Sequence, residues 1–225
     1  MIRYRIDPPC LVSPTARIWP GSVIHSHCVI EAGVDIGAPS VRVLRSMTEV
    51  IGPTDVVALD PDNSDLPLPA LMTSIGEGSA VMNGAILYSG VAVGRECEIG
   101  HHVVIRDDST MGDRCYAKCG AVIDPSCKIG NDVILAGLVG ARSTIGNGVT
   151  MLGMLVHKST GPHRGAIENG PSLEDNVFVG RGAVVVGSIT IHTGATIAAN
   201  ATVLADVPPG AVITGVWRTR GEMEL

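Results

Sequence analysis

Aromatic residues are nearly absent from this chain. Its 225 residues include two Trp, three Tyr and one Phe, so the core cannot draw bulk from rings as an ordinary globular core does. Charge is sparse too, at 17% of residues against 45% hydrophobic, which excludes a disordered polymer. No run of 18 apolar residues occurs, so no membrane span is expected. The opening Met-Ile-Arg-Tyr-Arg-Ile-Asp-Pro lacks the apolar stretch of a signal peptide. A cytoplasmic protein with six free thiols is therefore expected. No basic stripe interrupts a balance of 16 Lys+Arg against 22 Asp+Glu, net −6, so nucleic acid is not an expected partner. What remains is Val, Ile, Leu and Ala set among 28 Gly and 14 Pro. That composition favours many short strands and tight turns, an all-β chain.

A repeat dominates the sequence. From Ile75, every sixth residue is apolar: Val81, Leu87, Val93, Ile99, Ile105, Met111, Ala117, Ile123, Ile129 and Leu135. Four residues after each lies a small or medium one, such as Ala85, Cys97, Ser109, Cys115, Ala121 or Cys127. Gly often follows the large residue (Gly76, Gly94, Gly100, Gly112, Gly130), as expected where a turn demands its conformational freedom. The register recurs from Val12 to Ile36 and from Leu173 to Val203. Between Leu135 and Val139 it slips to four residues, after which Val139, Ile145 and Met151 resume the step of six. Helices want apolar residues at three and four, simple strands at two. A period of six fits a short strand and a turn, repeated and stacked into a solenoid around a continuous aliphatic core.

This pattern resembles the hexapeptide-repeat family, over Val12–Ile36 and from Ile75 to about Val207. The resemblance implies a left-handed parallel β-helix, three hexads to a coil. On that reading the chain is a single domain, 1–225, with first coils 12–36, an excursion 37–74, main coils 75–155, an active-site loop 156–172, last coils 173–215 and a C-terminal tail 216–225. In the excursion, Val41–Leu44 and Val56–Leu59 could pair as strands; it either decorates the side of the prism or forms a substrate lid. The second break is rich in His, Lys, Arg and Glu, and a polar excursion from a rigid solenoid is where function tends to sit.

The stretch from Pro171 through Val179-Gly-Arg-Gly-Ala to Ala205-Asp-Val-Pro-Pro-Gly resembles the C-terminal half of the hexapeptide acyltransferases. That likeness implies an acyl-CoA co-substrate, acetyl-CoA above all, a small hydroxyl or amino acceptor, and a loop His as general base. His suits the task because its ordinary pKa of about 6.5 lies near the working pH. Two residues qualify: His157, which opens the excursion one hexad step after Met151, and His163, in mid-loop beside Arg164. In the serine acetyltransferases the base lies two residues into a hexad, which in this register falls on Gly153, so that subgroup is not expected. The resemblance also implies a coenzyme A site at the small residues Gly180, Gly182, Ala198 and Ala199, with Arg181, Arg218 and Arg220 as basic candidates. The chain departs from the family at Ala205, where many members carry Lys, and at Val216-Trp217, where Asn-Pro is common. Family members assemble as trimers, so a homotrimer is expected.

The remaining candidates carry less chemistry. His25, His27 and His192 fall at outward turns. His101 and His102 share a turn, with Cys119 one coil further on, but a third metal ligand cannot be placed, so no metal is expected. Cys97, Cys115, Cys28 and Cys127 fall at inward small positions and read as buried thiols. Two rival functions stand beside the acyltransferase: a metal-dependent hydrolyase of the carbonic anhydrase type, and a non-catalytic assembly subunit.

Overall fold

The computed structural model describes residues 4–48, 72–158 and 169–218. The strands are mostly two residues long, and all pair in parallel. They form three sheets that the chain visits in rotation. The first sheet has nine strands, from Arg5–Ile6 to Thr190–Ile191. The second has ten, from Leu11–Val12 to Val212–Ile213, and the third ten, from Arg17–Ile18 to Val216–Trp217. Each strand pairs with the one a full coil later, as Ala92 with Thr110 and Val104 with Val122. The result is a three-sided β-solenoid, as the period of six requires. It starts earlier than Val12, since Arg5–Ile6 already pairs with Val23–Ile24. It also ends later than 215, because Val216–Trp217 pairs with Thr202–Val203 instead of beginning a tail.

The inward residues form one aliphatic column, in which Ile75, Val81, Leu87, Ile99, Ile123, Leu135 and Met151 have no solvent exposure. Burying each such side chain is worth about 1.5–3 kcal/mol. Small inward positions carry Ser or Cys as readily as Ala because a short polar group can bond a carbonyl of the next coil. Ser79 Oγ donates to the Gly94 carbonyl (2.9 Å), and the thiols of Cys97 and Cys115 donate to those of Gly112 and Gly130 (3.1 Å each).

The recurrent glycines have a different cause from the one the sequence suggests. Gly94, Gly112, Gly130 and Gly146 are absent from the positive-φ residues. They are glycine because the next coil's corner side chain occupies the place of a Cβ: Asp113, Asn131, Asn147 and Asp175 each put Oδ1 there. Those oxygens build a ladder along the corner between the first and second sheets. The backbone N–H of Arg95 donates to Asp113 Oδ1 (2.8 Å), that of Asp113 to Asn131 (2.8 Å), that of Asn131 to Asn147 (2.9 Å) and that of Asn147 to Asp175 (2.7 Å). Left-handed backbone falls instead two residues further along the corner, as at Glu96, Arg114 and Asp132.

Both excursions leave the solenoid at one edge, between the third and first sheets. The earlier one departs after Asp35–Ala38 and returns at Ser74–Ile75. Its Val41–Thr48 stretch is an α-helix, not a strand. Sequence patterning missed it because the alternation Val41-Arg42-Val43 mimics a strand, while Val43 is what the helix buries. The proposed partner strand Val56–Leu59 lies outside the described residues. The later excursion departs after Met154–Val156 and returns at Ser172–Leu173.

Candidate active site

The later excursion fixes the site, and a short corner fixes the excursion. Leu135-Ala136-Gly137-Leu138-Val139 passes from the second to the third sheet in four residues instead of six, as the register slip implies. The following coil does the same: Met151 and Leu155 are both fully buried, with Leu152-Gly153 at the corner between them. The step after Met151 is therefore four, and the inward position falls on Leu155. His157 lies two residues beyond it, not one hexad step from Met151. This removes the ground for setting aside the serine acetyltransferase pattern, because "two residues into a hexad" now describes His157 and not Gly153. The signal was present in sequence: Met151-Leu-Gly-Met-Leu155 repeats the shape of Leu135-Ala-Gly-Leu-Val139.

His157 sits where the chain leaves the third sheet. Its ring lies over Gly140 of the coil before, and a Cβ on Gly140 would come 3.5 Å from Nε2. Both ring nitrogens are buried, and neither has a hydrogen-bond partner among the described residues. Leaving buried donors and acceptors unpaired costs about 1–3 kcal/mol per group. His163, with Arg164, lies outside the described residues.

The proposed coenzyme site divides. Gly180-Arg181-Gly182 turns the corner from the second to the third sheet, and Ala198-Ala199-Asn200 turns the same corner one coil later. The two corners stack closely: Asn200 N–H donates to the Arg181 carbonyl (3.0 Å), and a Cβ on Gly180 would lie 2.5 Å from Ala199 N. Gly180 is buried and Arg181 exposed. Arg218 is also exposed but stands at the opposite edge, the edge of His157, because Leu204 N–H donates to the Trp217 carbonyl that precedes it. Arg220 lies outside the described residues. Between the two edges runs the outer face of the third sheet, bearing Met154, Val184, Val186, Leu204 and Val216, with Met154, Leu204 and Val216 exposed.

A groove of about 470 Å³ opens over the first sheet and the excursion's edge; His157 is not among its lining residues. Lys128, Arg142, Thr144, Asn169, Ser172 and Ser188 are among its lining. The sequence reading singled out none of these. Their signal was an unbroken run of polar outward positions, Thr110, Lys128, Thr144, Ser172 and Thr190, on consecutive strands of the first sheet.

The other candidates are structural. His25, His27 and His192 face Asp7, Glu77 and Glu174 at 3.2, 3.2 and 3.0 Å. His101 and Cys119 lie on stacked corners, joined by the Gly120 N–H to the His101 carbonyl (2.9 Å). Among the described residues no group of three or more His, Cys, Asp or Glu could hold a metal. All six cysteines are free, with Cys28, Cys97, Cys115 and Cys127 buried and Cys119 exposed.

Comparison with known proteins fits this geometry. The family description "Bacterial transferase hexapeptide (six repeats)" matches residues 72–107 and 170–205. Those two stretches, about a third of the chain, carry that family's repeats. It is 36% identical over 101 residues to a serine acetyltransferase of Bacillus licheniformis, covering 43% of this chain and 46% of that protein. It is 30% identical over 142 residues to a serine acetyltransferase of Bacillus subtilis, covering 63% and 50%. The chain thus spans about half the length of the curated relatives it matches. Among solved structures, it is similar to a UDP-N-acetylglucosamine acyltransferase from Campylobacter jejuni, at 15% identity and a TM-score of 0.39, covering 94% of this chain and 71% of that one.

Proposed function

We propose that the chain is an acyl-CoA-dependent acyltransferase, using acetyl-CoA or another acyl-CoA, with His157 as general base toward a hydroxyl or amine of a small acceptor. The observation that carries this is the half-buried His157 at the point where the polar excursion leaves the solenoid, its two ring nitrogens buried and unpartnered among the described residues. His157 takes the proton from the acceptor as its oxygen or nitrogen attacks the thioester carbonyl. The C–S bond then breaks, and the leaving thiolate recovers the proton. The donor would lie across the third face, from the stacked corners Gly180–Gly182 and Ala198–Ala199 toward His157. That is about four residues of strand, or about 13 Å. The family match and the serine acetyltransferase relatives support this reading over the hydrolyase and the inert subunit.

A homotrimer belongs to the same proposal. The second and third faces expose Leu11, Val212, Val216 and Met154, whereas the first turns Thr110, Lys128, Thr144, Ser172 and Thr190 outward, and cyclic symmetry would close such an interface. Light scattering should give about three times the 23.3 kDa chain mass; a 23 kDa species at micromolar concentration refutes the trimer.

The test of the chemistry is CoA release from acetyl-CoA, with L-serine as first acceptor because of the relatives' names. His157→Ala should lower turnover by about 10²–10⁴ and leave acetyl-CoA affinity unchanged. His163→Ala should act on acceptor affinity. A reversed pattern moves the base to His163, and full activity in the double variant refutes the loop as the catalytic element.

A further inference from the structure

We propose that the groove over the first sheet binds the anionic group of a small hydroxylated acceptor, a sugar phosphate or sugar acid, with Lys128 and Arg142 supplying the charge. This rests on the acyltransferase reading and narrows its acceptor. The first argument is electrostatic. Among the described residues that line the groove are two cations and no carboxylate, in a chain of net charge −6. Four arginines on the solenoid are matched to an Asp one coil away: Arg17 to Asp35, Arg95 to Asp113, Arg106 to Asp124 and Arg114 to Asp132. Lys128 differs from these four. Its stacked neighbours in the sheet are Thr110 and Thr144, and it makes no ion pair among the described residues.

The second argument is the rest of the lining. Ser126, Thr144, Ser172, Ser188 and Thr190 offer hydroxyls and Asn169 an amide, while Ile189 is the sole aliphatic side chain and no ring is present. Nothing there would stack a nucleobase or bury an acyl chain. The lining suits a ligand that is itself dense in hydroxyls, and about 470 Å³ is the size of a small-molecule site.

The third argument is position. Arg142 lies two residues past Gly140, on which the His157 ring rests. Gly170, at the return of the excursion, packs against the same corner, where its Cβ would lie 2.8 Å from the Ala141 carbonyl oxygen. A ligand anchored by its anion at Lys128 and Arg142 therefore has its hydroxyls along the edge that carries His157. Charge-assisted hydrogen bonds from both cations would fix that orientation.

The test is calorimetric titration of the full chain, without acyl-CoA, with glucose 6-phosphate, glucuronate, inorganic phosphate and glucose. At least one of the two anionic sugars should saturate the protein below about 1 mM, and glucose should not. Lys128→Gln and Arg142→Asn should each weaken binding about tenfold or more. Asn is chosen for position 142 because Arg142 has φ of 58°, a conformation Asn tolerates. Lys118→Gln, outside the groove, should change nothing. Binding by the unaltered protein should weaken between about 50 and 500 mM NaCl. Saturation by glucose 6-phosphate alone assigns the site to phosphates, and by glucuronate alone to carboxylates. The inference is overturned if neither anionic sugar binds, if glucose binds equally, or if binding ignores both salt and the two substitutions. Loss of this inference with acetyl-CoA binding intact leaves the transferase reading standing; anion binding without acetyl-CoA binding does the reverse.

Discussion

Two glycines with the same backbone shape should respond very differently to alanine. Gly120 and Gly137 both sit in the left-handed region, at φ of 72° and 84°, where an L side chain costs about 1–2 kcal/mol. A Cβ on Gly120 would meet nothing within 4 Å. A Cβ on Gly137 would fall 2.3 Å from the Gly153 carbonyl oxygen, against about 3.4 Å for ordinary contact. That oxygen cannot retreat, because Gly153 is itself pressed against the Ala183 carbonyl of the next coil. Relief would require prising neighbouring coils apart at the short corner, an overpacking cost of about 1–3 kcal/mol. Gly120→Ala should thus lose about 1–2 kcal/mol and Gly137→Ala about 2–5. At about 2–4 °C per kcal/mol for a chain of this size, the two variants should melt roughly 2–12 °C apart by circular dichroism. If they melt within about 2 °C of each other, the close stacking of the four-residue corners is wrong, and with it the placement of His157.

Two further outcomes follow from the charges and thiols. Burial pushes the thiols of Cys28 and Cys127 up to about 11, whereas Cys119 is exposed. A disulfide reagent at pH 8 should therefore find Cys119 the fastest thiol in folded protein; persistence of that fast phase in Cys119→Ser would contradict the burial pattern. At the corners, the Arg95 backbone N–H and guanidinium hold the Asp113 carboxyl below the usual range, Arg114 does so for Asp132, and Thr193 with His192 for Glu174. Lowered folded-state values mean the unfolded chain binds more protons, so stability rises with pH through this window. The contribution is present above about pH 4 and lost as pH falls through the folded values. Melting temperature should drop between about pH 5 and 3, and Asp132→Asn should flatten that drop; an unchanged slope removes the Arg114–Asp132 pair from the explanation.

The solenoid was legible because its core is one-dimensional: the same inward position recurs along the chain, so a large aliphatic residue every sixth place fixes coil, sheet and burial together. The failures share one cause, in that local alternation competes with register. Val41-Arg42-Val43 reads as strand yet lies in a helix, in which Val43 is buried. Counting six from Met151 lands on His157, yet Leu155 is the residue buried. The groove was illegible for another reason: Lys128, Arg142 and Ser188 are far apart in sequence and become neighbours only once coils stack.

The arrangement of the two excursions has a consequence for engineering. The corner between the first and second sheets is stitched by Asp113, Asn131, Asn147 and Asp175, so a length change there would break a bond in the coil beside it. The edge between the third and first sheets already hosts two departures of very different length, and the parallel pairing resumes in register after each. Foreign sequence spliced at Gly187-Ser188, on that edge, would be displayed beside the native loop, and the solenoid would serve as a ruler with one permissive margin.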